Sequence, residues 1–285
     1  MLKLVGYILT LFYLTGVYFP DVLPAIVLLI SQMAGHIAFA IFALLIARGL
    51  RRSSNHYLYF LRIVVTAFVT ELIGTLASWQ LLVIFPERNP LFTYAAGIAM
   101  LAGLAMAVGC YHDLVAHAMP ANGKWNKKTL FGVPINPGHY RMPPLIGLII
   151  GLFCMGLATF ATLFFRFSHG LFGLLFITVS FLAMRDAEDQ QLPRFPRSLF
   201  TDTTSLLRTL LYAVYLILTF ALVDMIVWRA GSAYSFTRMA ILLSLPLGIV
   251  LPEPTTPPGT IRRWLTYAAL PALTTIVSII KWIVG

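Results

Sequence analysis

The chain has 285 residues, of which 59% are hydrophobic and 11% charged, with a formal net charge of +10 and a mean hydropathy of +0.87. A soluble protein carries about a quarter of its residues as charges, so this chain lacks the polar groups to cover a water-facing surface. A soluble globular domain is excluded. So is a transmembrane barrel, whose strands would be about 10 residues long and alternating, whereas the apolar runs here are continuous.

A bilayer forces the backbone to satisfy its own hydrogen bonds, which leaves helices. Nine apolar segments are predicted as spans: Leu4–Phe19, Val22–Ala47, Phe60–Ile84, Leu91–Cys110, Pro144–Phe165, Gly170–Met184, Leu206–Trp228, Met239–Leu251 and Trp264–Val284. The first is read as an uncleaved span, because no small-x-small cleavage site precedes Phe19-Pro20-Asp21. The first, sixth and eighth are short for a hydrocarbon core that takes about 20 residues to cross. Pro271 inside the last predicts a kink. Residues 111–143 and 185–205 read as cytoplasmic loops, and residues 252–263 as a proline-rich connector. The expectation is an all-α membrane protein, a polytopic helical bundle of about nine transmembrane helices forming one domain over residues 1–285.

Loop charge sets the direction. With the N-terminus cytoplasmic, 15 of the 20 Lys and Arg residues fall on the cytoplasmic side, leaving Arg88, Arg166, Arg229, Arg238 and Lys281 on the other. That bias predicts a cytoplasmic N-terminus and an external C-terminus. Basic loops against anionic headgroups account for the net charge. Nucleic acid is not an expected partner, since no basic-aromatic groove or known module is present. The expected partner is the lipid bilayer. Cys110 and Cys154 lie beside or inside apolar runs and read as small buried hydrophobes.

Ionisable residues at bilayer depth are costly, so each is a functional candidate. His36 lies near the middle of the second predicted span and Glu71 near the middle of the third. A short basic loop joins these spans, which predicts an antiparallel hairpin with the two side chains at matching depth. The pair reads either as a general base with its orienting carboxylate or as an interhelical polar clamp. Gln32, one turn before His36, shares its helix face. Arg48, Arg51 and Arg52 follow the second span. They read as topology determinants, or as a cradle for a phosphorylated donor. Asp224 pairs with Arg229 at an interface or contributes to a polar path. His112, Asp113 and His117 read as solvated interface residues, and no metal is expected. The nucleotide, hydrolase and metalloprotease fingerprints are absent from the sequence.

The stretch Gly35-His36-Ile37-Ala38-Phe39-Ala40-Ile41-Phe42-Ala43-Leu44-Leu45, continuing through Ala47-Arg48-Gly49-Leu50, resembles the TraX family of conjugative-transfer membrane proteins. That family shows a Gly-Arg-x-Ala-Phe-Pro-x-Phe-Ala pattern followed by a short basic loop, which Asn55-His56-Tyr57-Leu58-Tyr59-Phe60-Leu61-Arg62 resembles. Lys3–Gly16, Asn89-Pro90-Leu91-Phe92-Thr93 and Leu192-Pro193-Arg194-Phe195 are similar to further segments in the expected order. The resemblance covers about a third of the chain and is strongest in its first hundred residues. It implies a protein of the bacterial inner membrane in the conjugation apparatus, acetylating the pilin N-terminus with acetyl-CoA. His36 would be the base, Glu71 its orienter, and Arg48, Arg51 and Arg52 the donor's anchors. The sequence departs from the family at Tyr13-Leu14, where the family carries Asp-His, at His36 for its Arg and at Ala40 for its Pro. A catalytically inactive scaffold for pilus assembly is the alternative. A proton-coupled transporter using Glu71 and Asp224 ranks behind it, because no internal repeat is present.

Overall fold

The computed structural model describes residues 2–52, 56–81, 89–115, 129–130, 133–134, 143–189, 210, 214, 217–218, 237, 239–244 and 260–284. These residues are helical almost throughout: α1 (Leu2–Tyr18), α2 (Ala25–Arg52), α3 (His56–Leu81), α4 (Pro90–Val115), α5 (Pro144–Phe164), α6 (Gly170–Asp189), a short 3-10 helix (Ala240–Leu243) and α7 (Thr260–Val284). The strands among them are a minimal antiparallel ladder of β1 (Thr129–Leu130) and β2 (Val133–Pro134), in which Leu130 faces Val133.

Among the described residues, four helices are long and apolar enough to cross a membrane: Ala25–Leu50, His56–Trp79, Pro90–Tyr111 and Pro144–Phe164. Three shorter apolar helices, Leu2–Tyr18, Gly170–Leu182 and Ala268–Val284, stand at the first, sixth and ninth predicted spans. Of the seventh predicted span only residues 210, 214, 217 and 218 are described. Of the eighth, only residues 239–244 are described, and they begin as a 3-10 turn. Asp224, Arg229 and residues 252–259 of the connector lie outside the described residues.

The helix ends refine the sequence boundaries for identifiable reasons. Val22 and Leu23 are not helical: they sit between Pro20 and Pro24, and α2 starts only where the amides of Val27 and Leu28 reach the Pro24 carbonyl. Proline suits that position because a helix's first amides have no partner within it. At the other end α2 runs to Arg52 and α4 to Val115, since the first Pro or Gly after Cys110 is Pro120. The 111–143 loop therefore opens with about a turn of helix. Likewise α6 extends to Asp189, into the predicted 185–205 loop, and α7 begins at Thr260.

Small residues bring the helices together. Against α5, the α4 backbone comes so close that a Cβ on Gly151 would stand 2.7 Å from the Gly103 carbonyl oxygen and 2.7 Å from the Ala107 amide. Between α1 and α2, Gly16 lies against Ser31 and Gly35 carries the Tyr13 ring. In an apolar solvent, where water does not drive helices together, such close van der Waals packing is what holds them. Elsewhere α2 packs on α6 and α4, while α3 packs on α4 and α7. The core runs through Ile41 and Leu44 of α2, Ile98 and Leu101 of α4, and Phe172, Phe176 and Ile177 of α6. At the far end of α1, the Tyr18 hydroxyl shares a 2.9 Å hydrogen bond with Ser278 of α7. There the Lys281 ammonium lies 5.1 Å above the Phe19 ring.

The outer surface is apolar, as lipid requires. On α5, Leu152, Phe153, Leu157 and Phe160 all point outward. On α3, Tyr57 is 66% exposed and Trp79 80% exposed. They are separated by about 33 Å at 1.5 Å per residue, close to the roughly 30 Å hydrocarbon core. Amphipathic aromatic rings at both ends of such a helix match the two interfacial belts of a bilayer.

Candidate functional site

The site is built where α2 passes the N-terminal ends of α4 and α6. Asn89 caps α4: its Oδ1 accepts the Leu91 amide at 3.0 Å, with Pro90 at the first helical position. Its Nδ2 also donates to the Ala67 carbonyl of α3 at 3.1 Å, so one side chain starts α4 and ties it to α3. From the first turn of α4, Thr93 donates its hydroxyl to the Ser168 carbonyl in the α5–α6 turn. The Tyr94 hydroxyl donates to the Phe39 carbonyl at 3.1 Å.

The α5–α6 turn closes with a helix-terminating pattern in which the Arg166 amide reaches the Leu163 carbonyl and the Phe167 amide the Thr162 carbonyl. That pattern needs a left-handed residue, usually glycine. Here Arg166 takes it with φ 50°, and His169 is left-handed as well, with φ 61°. Left-handed backbone costs a non-glycine residue about 1–2 kcal/mol. Both side chains are thus held where glycine would be easier, which marks the turn as a place where side-chain identity matters.

His169 is buried and stacks on Phe39, with ring centroids 3.8 Å apart. Gly173 makes room for it, because a Cβ there would stand 2.9 Å from the His169 Cβ and 3.0 Å from the Phe39 ring. His36, 7% exposed, meets the edge of the His169 ring at 5.1 Å between centroids. The His36 Nε2 lies 3.2 Å from the Thr237 hydroxyl. Three chain segments therefore deliver two imidazoles and a hydroxyl to one buried point. An imidazole there can take a proton from a hydroxyl or an amine.

Of the predicted site residues, His36 lies at this point. Glu71 is half-buried on α3, and among the described residues no hydrogen bond or ion pair joins it to His36. The predicted α2–α3 hairpin closes at its turn, where His56 Nε2 lies 3.1 Å from the Leu50 carbonyl and Tyr59 covers Gly49. Among the described residues, α2 packs on α1, α4, α6 and the 3-10 helix, and α3 on α4 and α7. Gln32 is exposed, so it does not join the buried His36 in the polar lining expected on that face of α2. Arg48 is buried on α2, about 18 Å along the helix from His36. Arg51 and Arg52 end α2, and their side chains lie outside the described set, as do those of His112 and Asp113. His117 is outside the described residues altogether. Among those described, no group of three or more His, Cys, Asp or Glu side chains is placed to hold a metal ion.

Sequence reasoning missed His169 and Thr237. The only local signal was a histidine beside a glycine in the four-residue gap between two apolar runs, which reads as an ordinary loop. Tyr13-Leu14, where the family resembled above carries Asp-His, packs next to Gly35-His36, since Tyr13 lies on Gly35. No family model, curated protein or solved structure matches the chain.

Proposed function

We propose that the chain is a multi-pass protein of the bacterial inner membrane, with nine spans and a cytoplasmic N-terminus, that serves conjugation by acetylating pilin at its N-terminus. The observation that carries this reading is the buried convergence of His36 of α2, His169 of the α5–α6 turn and Thr237. The bias of basic residues supports the orientation. The TraX-like stretch from Gly35 to Leu50 supports the context.

In this mechanism the neutral His36 imidazole removes a proton as the pilin amine attacks the acetyl-CoA thioester carbonyl. The new C–N bond forms, the C–S bond breaks, and the departing thiolate takes up the proton. His169 packs edge-on against the His36 ring. Arg48, Arg51 and Arg52 at the cytoplasmic end of α2 would hold the donor's phosphates. Pilin isolated with and without the chain tests this: the pilin mass should fall by one acetyl group when the chain is deleted. An unchanged mass sinks the enzymatic reading.

A second reading, a non-enzymatic scaffold for pilus assembly, is favoured by two observations. Glu71 makes no bond to His36, and Tyr13-Leu14 replaces the acid–imidazole pair of the resembled family. It predicts impaired transfer with no change in pilin mass.

A further inference from the structure

The base proposed above has a hydroxyl of its own chain beside it. His36 Nε2 lies 3.2 Å from the Thr237 hydroxyl, and both residues are buried, Thr237 to 1% exposure. When Nδ1 carries the ring proton, Nε2 is the basic atom, and the Thr237 O–H donates to it. The proton nearest the base is then the threonine's. Thr237 is helical and precedes the 3-10 helix Ala240–Leu243, which packs on α2. His169 walls the His36 ring from another side and is itself stacked on Phe39.

A hydroxyl is a weak nucleophile until a neighbouring base takes its proton, and a hydroxyl within hydrogen-bond reach of such a base is the arrangement of covalent catalysis. We infer that Thr237 is a catalytic nucleophile that carries the acetyl group from donor to acceptor. The inference rests on the acetyl transfer proposed above and divides that transfer into two half-reactions. In the first, Thr237 Oγ1 attacks the thioester carbonyl carbon while its proton passes to His36 Nε2. The C–S bond breaks, and the departing thiolate takes that proton, leaving an acetyl ester on Thr237 and a neutral imidazole. In the second, the pilin amine attacks the ester carbonyl carbon and gives its proton to Nε2. The bond between the carbonyl carbon and Oγ1 breaks, and Oγ1 recovers the proton from His36. No further reactant is needed.

Intact-mass spectrometry of the full chain in mixed micelles tests it, with acetyl-CoA supplied and pilin left out. The parent should gain one acetyl group and release free thiol in a burst. The acetyl should be lost to hydroxylamine, which cleaves an ester and spares an amide. Peptide sequencing should place it on Thr237, and added pilin should discharge it. Thr237→Ser should still be acetylated at position 237. Thr237→Val should gain no acetyl and should acetylate pilin at least about 100-fold more slowly. A hydrogen bond that only ties two segments together predicts no acetyl on the chain. A parent that acetylates pilin yet carries no acetyl in its absence overturns the inference. So does a Thr237→Val that inserts normally and acetylates pilin at the parent's rate. Both results leave His36 as the base of a direct transfer. A parent that acetylates neither itself nor pilin overturns the acetyltransferase reading, and the inference with it. Should Thr237→Val fail to accumulate, the parent and Thr237→Ser decide, and an acetyl at any other position overturns the assignment.

Discussion

Gly151→Ala puts a number on the α4–α5 contact. The added methyl would stand 2.7 Å from the Gly103 carbonyl oxygen, 2.7 Å from the Ala107 amide nitrogen and 3.0 Å from the Ala107 Cα. All three are backbone atoms, so no rotamer change gives way. A carbon–oxygen contact relaxes to about 3.3–3.6 Å, so the two helices must part by roughly half an ångström or more. A gap of that size forfeits a quarter to a half of each dispersion contact along the seam, and overpacking of this kind costs about 1–3 kcal/mol. Gly156 of the same helix has nothing within 4 Å of where its Cβ would be. There Gly→Ala should gain, by up to about 1 kcal/mol of helix propensity. Reversible unfolding in mixed micelles, followed by helical circular dichroism, compares the two. Gly151→Ala should unfold at lower denaturant than the parent and Gly156→Ala at the same or higher. Equal midpoints for the two variants would refute the close α4–α5 crossing.

Three further outcomes follow from the same geometry. Gly147→Cys, with Cys154 replaced, should form a disulfide to Cys110 under mild oxidation: a Cβ at 147 would lie 3.7 Å from the Cys110 Cβ, near the usual disulfide separation, and non-reducing mass spectrometry of the linked peptides reads it. Arg166→Gly should raise thermal stability by about 1 kcal/mol by removing left-handed strain at φ 50°; a lower melting temperature would mean that the side chain contributes more than its backbone costs. Asn89→Ala should cost about 1–2 kcal/mol through loss of the helix cap, whereas Asn89→Asp should keep the cap to Leu91 and lose only the bond to Ala67.

Hydropathy made the helices legible, because a continuous apolar run has one stable form in lipid whatever surrounds it. Helix ends were less legible, since they depend on where Pro24 supplies a carbonyl or where no breaker intervenes before Pro120. The site was legible only as far as His36. Its depth in an apolar run marked it, but its partners lie far along the chain, Thr237 being 201 positions away. Chain adjacency of α2 and α3 suggested Glu71. Small residues set which helices meet α2: Gly16 and Gly35 seat α1 on it, and Gly173 seats α6 there, while Asn89 bonds α4 to α3. Such choices among apolar faces leave almost no trace in composition, because every face is apolar.

The central claim is that the buried imidazole of His36 does the chemistry. Its most direct test is the intact mass of pilin from cells carrying His36→Gln, with the chain shown to accumulate and insert as the parent does. Glutamine keeps a polar side chain near Thr237 but cannot act as a base. The account predicts pilin lighter by one acetyl group, as in cells lacking the chain. Fully acetylated pilin from the His36→Gln cells would contradict it.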